Sequence, residues 1–412
     1  MKSADDIVVV AAARTPFDAF GGPLRDTSSI DLAKMVIVEL LQRSALKPEH
    51  VNEVNVGQCI PAESCLHLDI TARQALLRAG LPVETLSSTV DRACCSATTA
   101  LQMSMKNIIL DESEISLAVG AENMSHTPFV VPPKYRWEGA RLGEVKLIDP
   151  VFTLGYDGFG ILSVDAGDVA LEYGITREMQ DEFAYGSQQK YQQAKQKGAF
   201  DDEIFPVEVP GAKGKPPVTL SEDTQPRPQT TLESLAKLKT VYGSPTVTAG
   251  NAPGLNAGAS GVVIMKRKTA EKHGLEPMAV VRCVESIARH HREIAVAPAP
   301  AMQKALAKTG LSLDDLSLIE INEAFAAVPL VSTKILSADL TKGRDANDKL
   351  ARLRGITNVN GGAIAIGHPV GATGIRLVMT LINELKRRGG GIGAVAICGG
   401  LAQADCAIIE VE

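Results

Sequence analysis

Apolar positions follow two rhythms along this chain. Ile7-Val8-Val9-Val10-Ala11-Ala12 is a short continuous apolar run, the pattern of a buried strand. Similar runs predict strands over residues 54–60, 87–90, 115–121, 261–265, 278–284, 317–321, 394–398 and 406–411. Apolar residues at helical spacing predict helices over 31–45, 71–79, 97–109, 301–308 and 375–385. Strands alternating with helices indicate an α/β fold.

The pattern breaks at about residue 122. From there to about 251 the chain is more polar, richer in proline and charge, and irregular. One long helix is predicted there, over 177–197, with Asp181 and Glu182 early and Lys190, Lys195 and Lys197 late, as the helix dipole favours. The expected organisation is a first core domain of residues 1–121 and 252–278, an inserted domain of 122–251, and a second core domain of 279–412. The two core regions look alike. Leu117-Ala118-Val119-Gly120-Ala121 is echoed by Val395-Ala396-Ile397-Cys398-Gly399. A duplication would relate the halves by a pseudo-twofold axis and bring the strand-to-helix junctions at Cys94 and His368 together.

The 412 residues are 45% hydrophobic and 22% charged, an ordinary globular balance. Aromatics are only 4%, so small residues let helices approach closely. A net charge of −6 argues against a nucleic-acid partner. The seven cysteines are scattered and contain no CxxC pair, so neither a disulfide scaffold nor a zinc site is expected, and a reducing cytoplasm suits them. The first residues lack the apolar core of a signal peptide, and no apolar run reaches the length of a membrane span.

The most unusual stretch is Gly361 to Gly374, with five glycines, one histidine and one proline in fourteen residues. Gly367-His368-Pro369 sits just ahead of a predicted helix, so His368 is expected on a stiff, exposed turn. Cys94 follows a strand and opens a helix, where the N-terminus lowers a thiol's pKa and aims free N–H groups at what the thiolate attacks. Cys95 is equally well placed on that argument. Cys398 ends a buried strand before Gly399-Gly400, where a thiol beside the Gly400 N–H can serve as an acid or base; alone, core packing would account for it. Asn322 follows a strand and reads as an N-cap or as an amide holding a water or carbonyl. Glu323 reads as a dipole complement or an orienter of His368. Asn358 to Gly362 is turn chemistry. Lys134, Arg136 and Arg141 form a basic run, a solvated face or a phosphate screen. No GxGxxG opens a helix after the first strand and no GxxxxGK[ST] occurs, which disfavours nicotinamide and P-loop readings.

Taken in order, Asp91-Arg92-Ala93-Cys94-Cys95-Ser96, Asn322-Glu323-Ala324-Phe325-Ala326, Gly367-His368-Pro369 and Cys398-Gly399-Gly400 resemble the thiolase family. Arg14-Thr15-Pro16-Phe17, Ala72-Arg73-Gln74-Ala75, Glu122-Asn123-Met124-Ser125, Arg177-Glu178-Met179-Gln180-Asp181 and Thr248-Ala249-Gly250-Asn251-Ala252 are also similar to family segments, so the likeness spans nearly the whole chain. It implies two duplicated βαβαβαββ core domains in a layered αβαβα sandwich, with an inserted loop domain over the site. It also implies a CoA-dependent acyltransferase acting on 3-oxoacyl-CoA, with coenzyme A as co-substrate, no tightly bound cofactor, no metal, and a homodimer or homotetramer.

Position by position, the resemblance makes Cys94 the acylated nucleophile. His368 becomes its activator and an oxyanion donor, and Asn322 the holder of the oxyanion water. Cys398 becomes the acid/base at C2, and the Gly400 N–H, with that of Cys94, a second oxyanion hole. Arg227 and Ser234 match positions that meet CoA, and Ala249, Ala324 and Phe325 match the pantetheine tunnel. The chain departs from the family at Ile161-Leu162-Ser163, at Ala252-Pro253, at Leu401-Ala402, and at Cys95, where glycine is common. Two other readings stand beside the main one: a biosynthetic acetoacetyl-CoA thiolase, and a non-catalytic acyl-CoA-binding subunit of a complex.

Overall fold

The computed structural model describes residues 2–153, 156–210, 216–338 and 346–412. The first half of the core runs through β1 (Ile7–Arg14), α1 (Ser29–Ser44), β2 (Glu53–Gly57), α2 (Thr71–Arg78), β3 (Leu86–Val90), α3 (Ser96–Ile109) and β4 (Ile115–Asn123). An intervening segment carries α4 (Leu162–Glu172) and α5 (Arg177–Gln196), and β5 (Asn256–Lys266) completes the half. The second half runs through β6 (Ala279–Ala288), α6 (Pro298–Thr309), β7 (Leu318–Ile321), α7 (Ala327–Ala338), α8 (Ala346–Ile356), α9 (Thr373–Arg387), β8 (Gly391–Gly399) and β9 (Gln403–Val411).

Strand order establishes the duplication that sequence similarity only hinted at. From the middle outward the first half reads β1-β5-β4-β2-β3 and the second reads β6-β9-β8-β7. In each half the first two pairings are antiparallel and the third is parallel. The fourth place in the second half, parallel to β7, is held by a single bridge from Ile319 to Thr357. The halves also join edge to edge, through Val8 opposite Val280 and Val9 opposite Ala279.

Alternation along the strands builds the layers. Val8 and Ala13 of β1 face a first outer core with α1 and α2, whereas Ile7, Val9 and Ala12 face a central core. A bulge between Val9 and Ala11 shifts the phase. In β9, Ala404, Cys406 and Ile408 face a second outer core, and Ala407, Ile409 and Val411 face the central one. Helices α3 and α9 fill that central layer and touch strands of both halves. Their small residues, such as Ala97 against Gly374, allow the close approach expected from the composition.

The polar segment is fastened to β1 by Arg14, which is fully buried. Its guanidinium meets both oxygens of Asp223, at 2.7 and 3.0 Å, and Glu203 at 3.0 Å. Such a fork satisfies the charge in a planar, two-bond geometry. Ser28 and Thr176 cap α1 and α5 by accepting the N–H groups of Asp31 and Met179.

Two local expectations need correction. Helix α7 begins at Ala327, five residues past Asn322, so Asn322 is not its N-cap. Helix α3 begins at Ser96 with Cys95 as its cap residue, leaving Cys94 on the turn ahead of it. Helices α4 and α8 carry too weak an apolar stripe to have been anticipated.

Candidate active site

The turn between β3 and α3 is unusual in its backbone. Ala93 has φ of +51°, a left-handed conformation rare without glycine. Asp91 stabilises it by accepting the Ala93 N–H at 2.8 Å. Arg92 is paired with Asp405 of β9 at 2.9 Å, which locks the turn to the other half of the core. The result projects the Cys94 side chain towards the turn that carries His368, whereas Cys95 Sγ turns towards the Ile397 carbonyl of β8 at 3.5 Å. Geometry therefore separates two cysteines that the helix-terminus argument left equal.

His368 approaches from the opposite half, and its Nε2 lies 3.2 Å from Cys94 Sγ. Its Nδ1 lies 2.6 Å from Thr373 Oγ1, and that hydroxyl donates to the Pro369 carbonyl at 2.9 Å. The backbone N–H of His368 donates to Asn256 Oδ1 at 2.8 Å. Gly367 needs its glycine twice over, since φ is +109° and a Cβ would press on the Asn256 amide. Glu122 holds the same turn from the far side, accepting the Gly371 N–H at 3.1 Å and the Cys59 N–H at 2.8 Å. The histidine is buried at 6% exposure, not exposed as its glycine-rich setting suggested.

Asn322 Nδ2 stands 3.3 Å from His368 Nε2, and its Oδ1 is buried without a partner among the described residues. That free carbonyl oxygen can hold a water. Glu323 ties this turn to the histidine loop by accepting from Ser187 Oγ at 2.7 Å, Asn358 Nδ2 at 2.9 Å and the Ile364 N–H at 3.1 Å. The orienting role suggested for Glu323 acts through this brace rather than on the imidazole itself. Asn358 gives and accepts backbone hydrogen bonds at Ile321, so its turn chemistry serves the same brace.

Cys398 ends β8, fully buried, and lies close enough to Cys94 for a charge on one to disfavour a charge on the other. Position 399 has room only for glycine, since a Cβ there would meet Cys95 Sγ and the Arg92 carbonyl. A Cβ at Gly400 would collide with the Tyr156 hydroxyl.

Burial dominates the electrostatics. It pushes the Cys94 thiol up to about 12, against the lowering expected of a helix terminus. Burial, with the Arg376 charge behind it, pulls His368 down to about 3. Cys398 is raised well above an ordinary thiol, again by burial first. At neutral pH the pair is therefore a neutral thiol donating towards a neutral imidazole.

Four of the five predicted CoA contacts line two adjoining cavities. One, of about 350 Å³, is lined by Arg227, Ser234, Ala249 and Ala252. The other, of about 330 Å³, is lined by Ala249, Ala252, Pro253, Phe325 and the departing trio Ile161, Leu162 and Ser163. Ala324 is buried in the second outer core and lines neither. Ser234 also closes a capping box with Thr231. Among the described residues, Arg227's guanidinium has no hydrogen-bond or ion-pair partner, leaving it open to an anionic group. Reasoning from sequence missed Thr373, Asn256 and Tyr156; a hydroxyl in the first turn after the histidine was the one available signal.

The profile described as thiolase, N-terminal domain, matches residues 7–268, and that described as thiolase, C-terminal domain, matches 275–411. An acetyl-CoA acetyltransferase of Cupriavidus necator is 40% identical over 398 residues, covering 95% of this chain and 96% of that one. The mitochondrial 3-ketoacyl-CoA thiolase of Bos taurus is 38% identical over 416 residues, covering 98% of each. The crystal structure of human mitochondrial 3-ketoacyl-CoA thiolase superposes with a TM-score of 0.90 at 36% identity, over 99% of this chain and all of that one. With both halves of its core matched at this level, the chain belongs to the thiolase family.

Proposed function

We propose that this acyltransferase cleaves a 3-oxoacyl-CoA with coenzyme A to give acetyl-CoA and a shortened acyl-CoA, and runs the reverse condensation, through an acyl group on Cys94. The observation that carries the reading is the 3.2 Å approach of Cys94 Sγ to His368 Nε2 beside a second buried thiol. Cys94 Sγ attacks the C3 carbonyl carbon and gives its proton to Nε2. The resulting Nε2–H, with a water held by Asn322, donates to the developing oxyanion. The C2–C3 bond then breaks, its electron pair becomes the acetyl-CoA enolate, and Cys398 protonates C2. The enolate oxygen is met by the N–H groups of Cys94 and Gly400. Incoming CoA loses its thiol proton to the Cys398 thiolate and attacks the acyl carbon. Cys94 leaves and recovers its proton from His368. Each oxyanion donor contributes about 3–4 kcal/mol to such a step.

In this reading Arg227 and Ser234 meet CoA at the outer cavity, and Ala249 and Phe325 flank the pantetheine arm, with Ala324 packed in the core behind Phe325 and not in the lining. Residues 122–251 form a covering domain over core domains 1–121 with 252–278 and 279–412. The chain works as a homodimer or homotetramer in the cytoplasm. Strand β3 supports association, because it is a sheet edge with Leu86 and nearby Val83 exposed. One solved relative, human mitochondrial 3-ketoacyl-CoA thiolase, is known in complex with CoA, which supports CoA as co-substrate here.

The test is incubation with acetyl-CoA followed by peptide mass analysis. An acetyl group on Cys94, with no thiolysis by Cys94→Ala, is expected; an adduct elsewhere, or none, removes the reading. The name of the Cupriavidus necator relative favours a second reading, acetoacetyl-CoA synthesis in place of β-oxidation. Comparing rates on acetoacetyl-CoA and on six- and eight-carbon 3-oxoacyl-CoAs separates the two.

A further inference from the structure

Tyr156 belongs to none of the motifs that carry the family likeness, yet its hydroxyl lies against Gly400 and its ring packs on the cluster that holds Cys94. It occupies the space beside Gly400 that any side chain there would fill. Its ring lines the 330 Å³ cavity together with Ala249 and Phe325, and that cavity does not extend to Cys94, His368 or Cys398. Tyr156 is thus where the substrate cavity and the catalytic groups meet. The ring is held in place by packing on the central core cluster that contains Cys59, Cys94 and Cys95.

The hydroxyl oxygen is buried and has no hydrogen-bond partner among the described residues, and it does not accept from the Gly400 N–H. A buried hydroxyl left unpaired is costly and uncommon, and it marks a place where a missing group completes the bonding. Burial, Cys59, Cys94 and Asp91 all disfavour loss of its proton, so the group stays a donor. An oxygen bound to the Gly400 N–H shares that residue's surroundings with the phenol. We propose that the Tyr156 hydroxyl is a further catalytic residue, a third donor to the substrate oxygen that the N–H groups of Cys94 and Gly400 receive. The inference rests on the thiolase reading above and adds to it a side-chain donor supplied by the inserted segment.

The experiment measures thiolysis of acetoacetyl-CoA and 3-oxooctanoyl-CoA by the purified full chain and by Tyr156→Phe, which keeps the ring and removes only the donor. The expected result is a fall in kcat of about 10- to 100-fold, less than for a sole oxyanion donor because two N–H groups remain. The KM for CoA and the alkylation rate of Cys94 by iodoacetamide, which needs no oxyanion donor, should stay at the wild-type values. Wild-type kcat in Tyr156→Phe overturns the proposal, and so does a loss confined to KM. If Tyr156→Ala then shifts only chain-length preference, the ring is a wall and the hydroxyl idle. No turnover by the wild-type chain, with no acyl group on Cys94, removes the thiolase reading itself and the proposal with it.

Discussion

Thr373 fixes the tautomer of His368. Its hydroxyl gives its proton to the Pro369 carbonyl at 2.9 Å, so towards Nδ1, 2.6 Å away, it can only accept. Nδ1 must then carry the ring proton, and Nε2 presents its lone pair to the Cys94 thiol. Thr373→Val keeps the shape and removes the acceptor. We expect kcat to fall about 10- to 100-fold, less than the loss seen when a buried carboxylate partner is removed from a catalytic histidine. Thr373→Ser should restore most of the rate. Equal rates for the valine and wild-type chains would show that the ring needs no such partner.

The neutral pairing of Cys94 and His368 has a pH signature. The thiol is pushed up to about 12 and the imidazole pulled down to about 3, both mainly by burial. Below about 12 the thiolate is the minor form and grows tenfold with each pH unit. Alkylation of Cys94 by iodoacetamide should therefore accelerate steadily from pH 6 to pH 10, with a slope near one in log rate. A plateau beginning below pH 7 would mean a preformed thiolate–imidazolium pair and would contradict the burial argument.

How much of this was legible before the fold is best seen residue by residue. Val8 and Val9 sit in one apolar run, and the strand was readable because both are apolar; that they face different layers was not, since both faces of this sheet are covered. The pairing of β1 with β5 and β6 joins positions such as Arg14 with Ser260 and Val8 with Val280, far beyond any local pattern. Cys94, His368, Asn322 and Cys398 were named through ordered motifs, while local physics could not choose Cys94 over Cys95. The acidifying helix terminus was a sound argument that lost to desolvation, and burial is set by the whole fold. Tyr156 was invisible because it lies in a polar stretch without periodicity, placed only by how that stretch lies across Gly400.

Glu323 joins the two turns that deliver Asn322 and His368. Its carboxylate is fully buried and accepts from Ser187, Asn358 and the Ile364 N–H. Glu323→Gln replaces one acceptor oxygen with an amide that points donor at donor. The expected cost is about 2–3 kcal/mol of stability, the scale of a lost charged hydrogen bond, with a lower thermal midpoint and reduced kcat. Ser187→Ala removes one donor to Glu323 and the acceptor of the buried Gly362 N–H, and should cost about 1–3 kcal/mol. A Glu323→Gln protein as stable as the wild type, by urea unfolding, would argue that the brace contributes nothing.

The two cysteines can be separated by isotope exchange. On the proposed mechanism, acylation of Cys94 by acetyl-CoA breaks no C–H bond, so it calls on His368 and the oxyanion donors but not on Cys398. Removal of a proton from C2 of acetyl-CoA is the step that mechanism assigns to Cys398, whose thiol is raised by burial and by Cys94 nearby. Cys398→Ala should therefore still form the acetyl adduct on Cys94. It should lose both thiolysis of 3-oxoacyl-CoA and deuterium incorporation at C2 of acetyl-CoA in heavy water, by about 100-fold or more for a missing general base. Cys94→Ala should lose the adduct. Undiminished deuterium exchange in Cys398→Ala would move the C2 base to another group and leave Cys398 as core packing.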